Sequence, residues 1–420
     1  MKQEVGVESN EIMGKHLYRN NQKMVPASEK AWNFAHDNKM LRIKVRPNGS
    51  QNRLIDIETG HEFANMTSCS YLGLNTHPTV IDEGIKALKD QYISTLAIPT
   101  FRMRLDIMDE LESGLSKHFG SPVIPSISCQ TVSSAILPIL GSGHLTNSEP
   151  LVMVFDRFSH FSLAFIKPIV GDETLVLTCP HNDMNYLEDI CKKYPRVAYI
   201  CDGVYSTGGS TKLKSLVEIQ EKYGLFLYID DSHSLSTIGK RGEGYIRSNL
   251  KEMNDRTIIV ASTAKAFGSM GGIAILGSDK HYDFLYRSGP LGWSQNLTAV
   301  NAGMAIGSLK VHKTPELYKL QHQLQENIKY FDEHINTPQR GDLFNIRVVE
   351  VGDNDRAVYL SKEIYKKGFY CSSIFFPIVP KGKAGIRIML RGDLDKIKNI
   401  EFVTKLKETL LELGADNCII

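Results

Sequence analysis

Between residues 150 and 277 the chain repeats one theme: a short apolar run, a polar turn, then a stretch long enough for a helix. The apolar runs are Leu151–Phe155, Val197–Cys201, Leu225–Ile229, Thr257–Ala261 and Ile273–Leu276. Each is rich in β-branched or aromatic residues and lacks the two-residue alternation of a half-exposed strand, the pattern of strands buried on both faces. Helical stretches separate most of them, which predicts an α/β fold with a mostly parallel sheet wrapped by helices.

The flanks have a different texture. Leu41 to Ala64 alternates around Pro47-Asn48-Gly49-Ser50 and reads as a β-hairpin with Asn-Gly at its turn. The stretch before it is polar and irregular, an arm or a helix packed onto something else. After residue 310, Pro315 to His334 forms one long amphipathic pattern. The strand-like FNIRVVEV, a helix over Arg356–Lys367, the strand GIRIML and a helix over Ile397–Leu413 follow. That is a smaller α+β unit, so the chain divides into 1–65, 66–310 and 311–420.

Composition narrows the functional classes. Hydrophobic residues at 42% and charged residues at 23% exclude global disorder. Forty-nine basic against 47 acidic side chains leave a net charge of +2, without the excess of a nucleic-acid binder. The seven cysteines (69, 129, 179, 191, 201, 371 and 418) include no C-x-x-C pair, so neither a zinc site nor a redox motif is expected. The N-terminal residues have no apolar core of a signal peptide, and no apolar run reaches membrane-spanning length. A cytoplasmic location, no metal and no membrane span are the expectations.

In open α/β sheets ligands bind beyond the carboxyl ends of the strands. The residues that follow the predicted strands are Asp156-Arg157-Phe158-Ser159-His160, Asp202-Gly203-Val204-Tyr205-Ser206, Asp230-Asp231-Ser232-His233 and Ser262-Thr263-Ala264-Lys265. Ionisable groups thus crowd one edge of an otherwise apolar sheet. A lysine past one strand end and a carboxylate at a neighbouring one suit pyridoxal 5'-phosphate (PLP). That cofactor needs a lysine for its Schiff base and an acid for its pyridine nitrogen. His160 could face the ring, while the Ser128–Ser134 turn, Ser206 and Ser262 could serve the phosphate and ring oxygen. Singly, each has a plainer reading. Lys265 could open a surface helix, Asp230 and Asp231 could be helix caps, Ser262 could cap a helix, and either histidine could be structural. Their joint placement is what points to a site.

The segments DGVYSTGGS, IDDSHSLSTIGKRGEGY and STAKAFGSMGG resemble the α-oxoamine synthases, PLP enzymes of fold type I. CSYLGLNTHP, DRFSHFS and AGIRIML extend the likeness from Leu41 to the C-terminus. SHSLSTIG and DGVYST are somewhat nearer the quorum-sensing α-aminoketone autoinducer synthase than the biotin enzyme, 8-amino-7-oxononanoate synthase. The resemblance implies a large domain with a mostly parallel seven-stranded sheet and a smaller C-terminal domain. It also implies a homodimer with shared active sites. By the same likeness Lys265 is the Schiff-base lysine, Asp230 the partner of the pyridine nitrogen, and His233 the partner of the ring hydroxyl. His160 stacks on the ring, Ser206 and Ser262 support the ring oxygen and phosphate, and Cys129 and Gln130 lie near the phosphate. Arg387 holds the amino acid's carboxylate. Ser294, in Trp293-Ser294-Gln295-Asn296, reaches the neighbouring subunit's phosphate.

Four places depart from the family pattern: the bulky Ser94–Phe101 loop, Cys129-Gln130, Cys69 in place of an asparagine near the substrate, and Ile378 in place of a threonine. All concern substrate or acyl-donor contacts rather than the lysine. Asp231 reads as the less constrained neighbour of Asp230. The expected reaction condenses an amino acid with an acyl thioester, of CoA or a carrier protein, and releases carbon dioxide to give an α-aminoketone. An aminotransferase or lyase on the same fold is the alternative. The Ser262-Thr263-Ala264-Lys265 pattern of serine hydrolases is a distant one, since S-D-N and K-T-G are both missing. A non-catalytic scaffold subunit sits poorly with Lys265, Asp230, His233 and His160 together.

Overall fold

The computed structural model describes residues 20–48, 52–146 and 149–420. Its first sheet begins as a meander, in which β1 (Val45–Pro47) pairs antiparallel with β2 (Arg53–Asp56), and β2 with β3 (Glu62–Asn65). The expected Asn-Gly turn runs into residues 49–51, which lie outside the described residues. Asn48 N–H donates to Arg53 O at 3.0 Å. Asn52, where the described chain resumes, takes a left-handed φ of 64°.

The central sheet has seven strands: β4 (Val123–Ser126), β5 (Val152–Asp156), β6 (Val176–Cys179), β7 (Val197–Asp202), β8 (Phe226–Asp230), β9 (Thr257–Ser262) and β10 (Gly272–Leu276). Their order is β4-β10-β9-β8-β7-β5-β6, with β10 antiparallel to both neighbours and the other pairings parallel. The runs read from the sequence are β5, β7, β8, β9 and β10. Both strands not anticipated are at the edges. β4 carries Pro125, which an edge strand tolerates because one row of its N–H groups is unpaired.

Alternate residues of the central strands enter two separate cores. Val154, Tyr199, Leu227, Ile229 and Ile259 pack against helices 107–119 and 299–312. Met153, Phe155, Ile200, Tyr228 and Val260 pack against helix 129–141. Both faces are therefore apolar, which is why these strands show no alternation. Each fully buried large side chain contributes about 1.5–3 kcal/mol. Helices 78–91 and 299–312 approach closely through glycine: a Cβ on Gly84 would stand 2.7 Å from Met304 Cγ, and one on Gly307 would stand 2.8 Å from Thr79 O.

The C-terminal part holds β11 (Ile346–Gly352), β12 (Phe369–Tyr370), β13 (Ser372–Ile374) and β14 (Ala384–Met389). The small sheet runs β11-β14-β13, all antiparallel, while β12 leaves it to pair parallel with β3. Helices 315–332, 354–366 and 396–412 cover it, close to the expected bounds. The polar N-terminal stretch is helical over Asn20–Asp37. Its Ala31 and Ala35 join the buried Phe375, Val358 and Ala384. No helix among the described residues is long and apolar enough to cross a membrane.

Candidate active site

Parallel pairing sets the ends of β7 and β8 side by side, with Asp202 directly opposite Asp230. Both carboxylates are buried. Asp230 Oδ1 accepts the N–H of Ser232 at 3.0 Å, and the Cys129 thiol donates to Oδ2 at 3.7 Å. Asp202 Oδ1 accepts the N–H of His160 at 3.0 Å. Burial, and then the charge of Asp230, push the Asp202 carboxyl well above the usual range.

Lys265 sits in the tight turn between β9 and β10. That turn is closed by hydrogen bonds from Thr263 N to Gly271 O (3.0 Å) and from Gly268 N to Lys265 O (3.0 Å). Gly268 has φ +86°, and a Cβ there would meet the backbone carbon of Leu74 at 2.6 Å, so no other residue fits. The half-buried Lys265 ammonium has no hydrogen bond or ion pair among the described residues. Its charge acts on Asp202, Cys129, His160 and His233.

His233 is buried, and its Nδ1 pairs with the Tyr71 hydroxyl at 2.6 Å. Burial, then Lys265 and Arg387, hold its pKa well below the ordinary value, so the ring is neutral. His160 caps helix 161–164: its Nδ1 accepts the N–H of Ser162 at 3.2 Å, which leaves the far edge of the exposed ring free. Desolvation by the groups around it lowers its pKa; Asp230 opposes this, while Lys265 and Arg387 reinforce it.

At the other end of the cluster, Ser128 caps helix 129–141 by accepting Thr131 N–H at 3.1 Å. The N–H groups of Cys129 and Gln130 make no hydrogen bond among the described residues, so two donors at a positive helix end remain open. Gly272 lets the helix start close on the sheet, since a Cβ there would overlap the backbone of Ser128 and Cys129. Ser133, one turn further, accepts the Tyr228 hydroxyl at 2.9 Å. Ser262 is half-buried at the end of β9, and its N–H donates to Ser232 Oγ at 2.7 Å.

Arg387 comes from β14, opposite Val348 of β11 and Ser372 of β13. One of its Nη atoms donates to Ser206 O at 3.3 Å, and its buried Nε has no partner among the described residues. Cys69 is half-buried two residues before Tyr71. Ser294 stands apart from the lysine cluster: its hydroxyl donates to Pro290 O at 2.6 Å, and its carbonyl accepts both N–H and Oγ1 of Thr100.

Asp231 corrects the sequence expectation. It is buried and tightly held, with Ser234 Oγ at 2.5 Å on one oxygen, Ile246 N–H at 2.9 Å on the other and its own N–H on Val260 O at 2.7 Å. Burial pushes its carboxyl up to about 7 despite those donors. It anchors the 231–246 loop rather than facing the site. Tyr71 and the Asp156–His181 pair were not anticipated. Asp156 accepts His181 Nδ1 (2.9 Å), Asn182 N–H (2.9 Å) and Tyr199 Oη (2.9 Å). For Asp156 and His181, at the end of β5 and just past that of β6, this position was the one available signal.

Residues 62–400 match the family model for aminotransferase class I and II. The 8-amino-7-oxononanoate synthase of Symbiobacterium thermophilum is 30% identical over 376 residues, covering 83% of this chain and 89% of that protein. The chain belongs to the aminotransferase class I and II family, on its α-oxoamine synthase branch. The 8-amino-7-oxononanoate synthase of Alkaliphilus metalliredigens is 28% identical over 348 residues, covering 79% of this chain and 83% of its own. Among solved structures, a serine palmitoyltransferase of Sphingomonas wittichii superposes with TM-score 0.79 at 18% identity, covering 92% of this chain and 98% of that one. The 8-amino-7-oxononanoate synthase of Francisella tularensis gives 0.68 at 19% identity, covering 84% and 97%. The synthase is a PLP-dependent acyltransferase that condenses an amino acid with an acyl thioester.

The residues present fit that cofactor. An unpaired amine, a buried carboxylate with donors on both oxygens, two open N–H groups at a helix start and an orphaned guanidinium Nε are separate requirements; the central sheet's edge supplies the first three and β14 of the small sheet the fourth.

Proposed function

We propose that this chain acts as a cytoplasmic homodimeric α-oxoamine synthase in which Lys265, Asp230, His233, His160 and Arg387 do the chemistry. The Lys265 amine, unpaired among the described residues just beyond β9 and next to the strand β8 that ends in the buried Asp230, carries the reading. Lys265 would hold PLP through its amine and Asp230 would hold the proton of the ring nitrogen. His233, oriented by Tyr71, would meet the ring hydroxyl. The N–H groups of Cys129 and Gln130, with Ser262, would take the phosphate, and Ser206 would stand near the ring oxygen. When bound, PLP supplies an electron sink for bond breaking at the amino acid's α-carbon.

The chain's own groups do the rest. Arg387 grips the carboxylate through the Nε that has no partner among the described residues, with Cys69 beside that end of the substrate. Lys265 takes the α-proton and later returns one. His160, neutral and exposed at the mouth, orients the thioester carbonyl. Amino acid and acyl thioester thus give an α-aminoketone, carbon dioxide and the free thiol, and the books of atoms close.

Phe101 and Trp293, stacked at 5.5 Å and each more than half exposed, support a second copy covering this face. Ser294 would then serve the partner's phosphate. Cysteines left free throughout support the cytoplasm. The proposed division is an N-terminal arm and hairpin over 1–65, a PLP-binding domain over 66–310 and a small domain over 311–420.

The test is product analysis with candidate amino acids and acyl thioesters. Carbon dioxide and free thiol are expected in equal amounts, with turnover abolished in Lys265→Ala. Amino transfer without carbon dioxide release, or unchanged turnover in Lys265→Ala, would overturn the reading.

A further inference from the structure

Asp230 is approached by a line of donors that all point one way. Ser262 N–H donates to Ser232 Oγ (2.7 Å), Ser232 Oγ–H points at Cys129 Sγ (3.9 Å), and Cys129 S–H points at Asp230 Oδ2 (3.7 Å). The two sulfur contacts are long because sulfur is large and a weak hydrogen-bond former. The backbone N–H of Ser232 closes on the other oxygen at 3.0 Å. Cys129 and Ser232 are buried, so no water competes. Two independent contacts fix where the thiol lies. Ser133 is tied to Tyr228 on the strand that ends in Asp230, and the bare Cα of Gly272 leaves room for the helix start.

We propose that Cys129 is a positioning residue: its thiol, aligned by Ser232, holds Asp230 as an oriented carboxylate beneath the cofactor's ring nitrogen. The proposal rests on the assignment of Asp230 to that nitrogen. Nearby, Asp202 on β7 stands directly opposite Asp230. Lys265 after β9 and the neutral His160 after β5 also face it, while Asp231, Cys201 and Tyr228 lie within electrostatic reach. Burial, and then the charge of Asp230, push the Cys129 thiol well above its ordinary range, so it donates and does not ionise.

Take away the S–H donor and the carboxylate becomes more basic, drawing the shared proton off the ring nitrogen. A less positive ring withdraws less charge from its bond to Lys265, so that bond should hold its proton to higher pH. The readout is the pH midpoint of the bound cofactor's visible absorption, measured on purified PLP-loaded protein. Cys129→Ala should raise the midpoint by about half a unit, because one unit corresponds to about 1.4 kcal/mol and a thiol donor is weak. Cys129→Ser, which restores a donor of similar size, should return most of the shift. Asp230→Asn should raise the midpoint further in the same direction. If Asp230→Asn moves it and Cys129→Ala does not, the role of Cys129 is overturned. Equal shifts in Cys129→Ala and Cys129→Ser would mean packing, and would also overturn it. A midpoint indifferent to Asp230→Asn removes the assignment of Asp230 itself.

Discussion

Asp202 and Asp230 are register partners at the ends of two parallel strands, both buried. Burial and that neighbour raise the folded pKa of Asp202. A folded carboxyl with a raised pKa binds its proton more tightly than the unfolded chain does. It therefore costs stability above its folded pKa, and the cost fades as pH falls towards the unfolded value of 3.8. Asp202→Asn keeps an acceptor for His160 N–H and removes the charge. Its melting temperature in mildly alkaline buffer should equal or exceed the parent's, with the gain shrinking in acid. Asp202→Ala, lacking the acceptor, should lose about 1–3 kcal/mol in denaturant unfolding.

Tyr71→Phe removes the hydroxyl at 2.6 Å from His233 and leaves a buried ring nitrogen without its partner. A cost of about 1–3 kcal/mol is expected from thermal unfolding. PLP affinity, followed by equilibrium dialysis, should fall as well, because the ring loses its orientation. Unchanged affinity would detach His233 from the cofactor.

Arg387→Lys keeps the positive charge and loses the planar fork. The KM for the amino acid should rise about 10–100-fold, with kcat changed much less, because a lysine cannot reproduce a paired grip on a carboxylate. Steady-state kinetics with the amino acid varied at fixed thioester checks this. A fall in kcat alone would place Arg387 elsewhere in the reaction.

His118 and His312 meet edge-on at 5.5 Å, both buried. Burial, then the neighbouring imidazole, lowers His118 to about 3, and burial lowers His312 to about 4. Both pKa values lie below the unfolded 6.5, so stability is lost as pH falls below 6.5, where the unfolded chain gains protons that the folded one refuses. His118→Phe should therefore be more stable than the parent by about 2 kcal/mol near pH 5, a difference that vanishes above neutrality. Urea unfolding at several pH values would show it. A parallel acid decline in both proteins would rule it out.

Residues whose environment is set by their own strand were legible in the sequence. β5, β7, β8, β9 and β10 announce themselves because both their faces are apolar, and the polar groups at their ends fall in place with them. Residues whose role depends on a distant partner were not. Tyr71 reaches His233 across 162 positions, and Cys129 reaches Asp230 across 101. Asp231 read as the less constrained of the pair because its anchors, Ser234 and Ile246, belong to a loop that folds back only in three dimensions. Pro125 hid an edge strand for the opposite reason: its local signal forbids a strand in general, and only the sheet order shows that the edge permits one.

Arg387 is carried by β14 of the small sheet, whereas Lys265 and Asp230 belong to the central one. On the proposed roles, the two ends of a bound amino acid would be fastened to different sheets of the protein, so the substrate would itself be a rivet between them. A slip of one ångström between the sheets moves the carboxylate clamp relative to the amine while leaving every hydrogen bond inside either sheet intact. Substitutions along helix 315–332 or 396–412, far from any reacting atom, can therefore detune this enzyme as a lens mount detunes a lens.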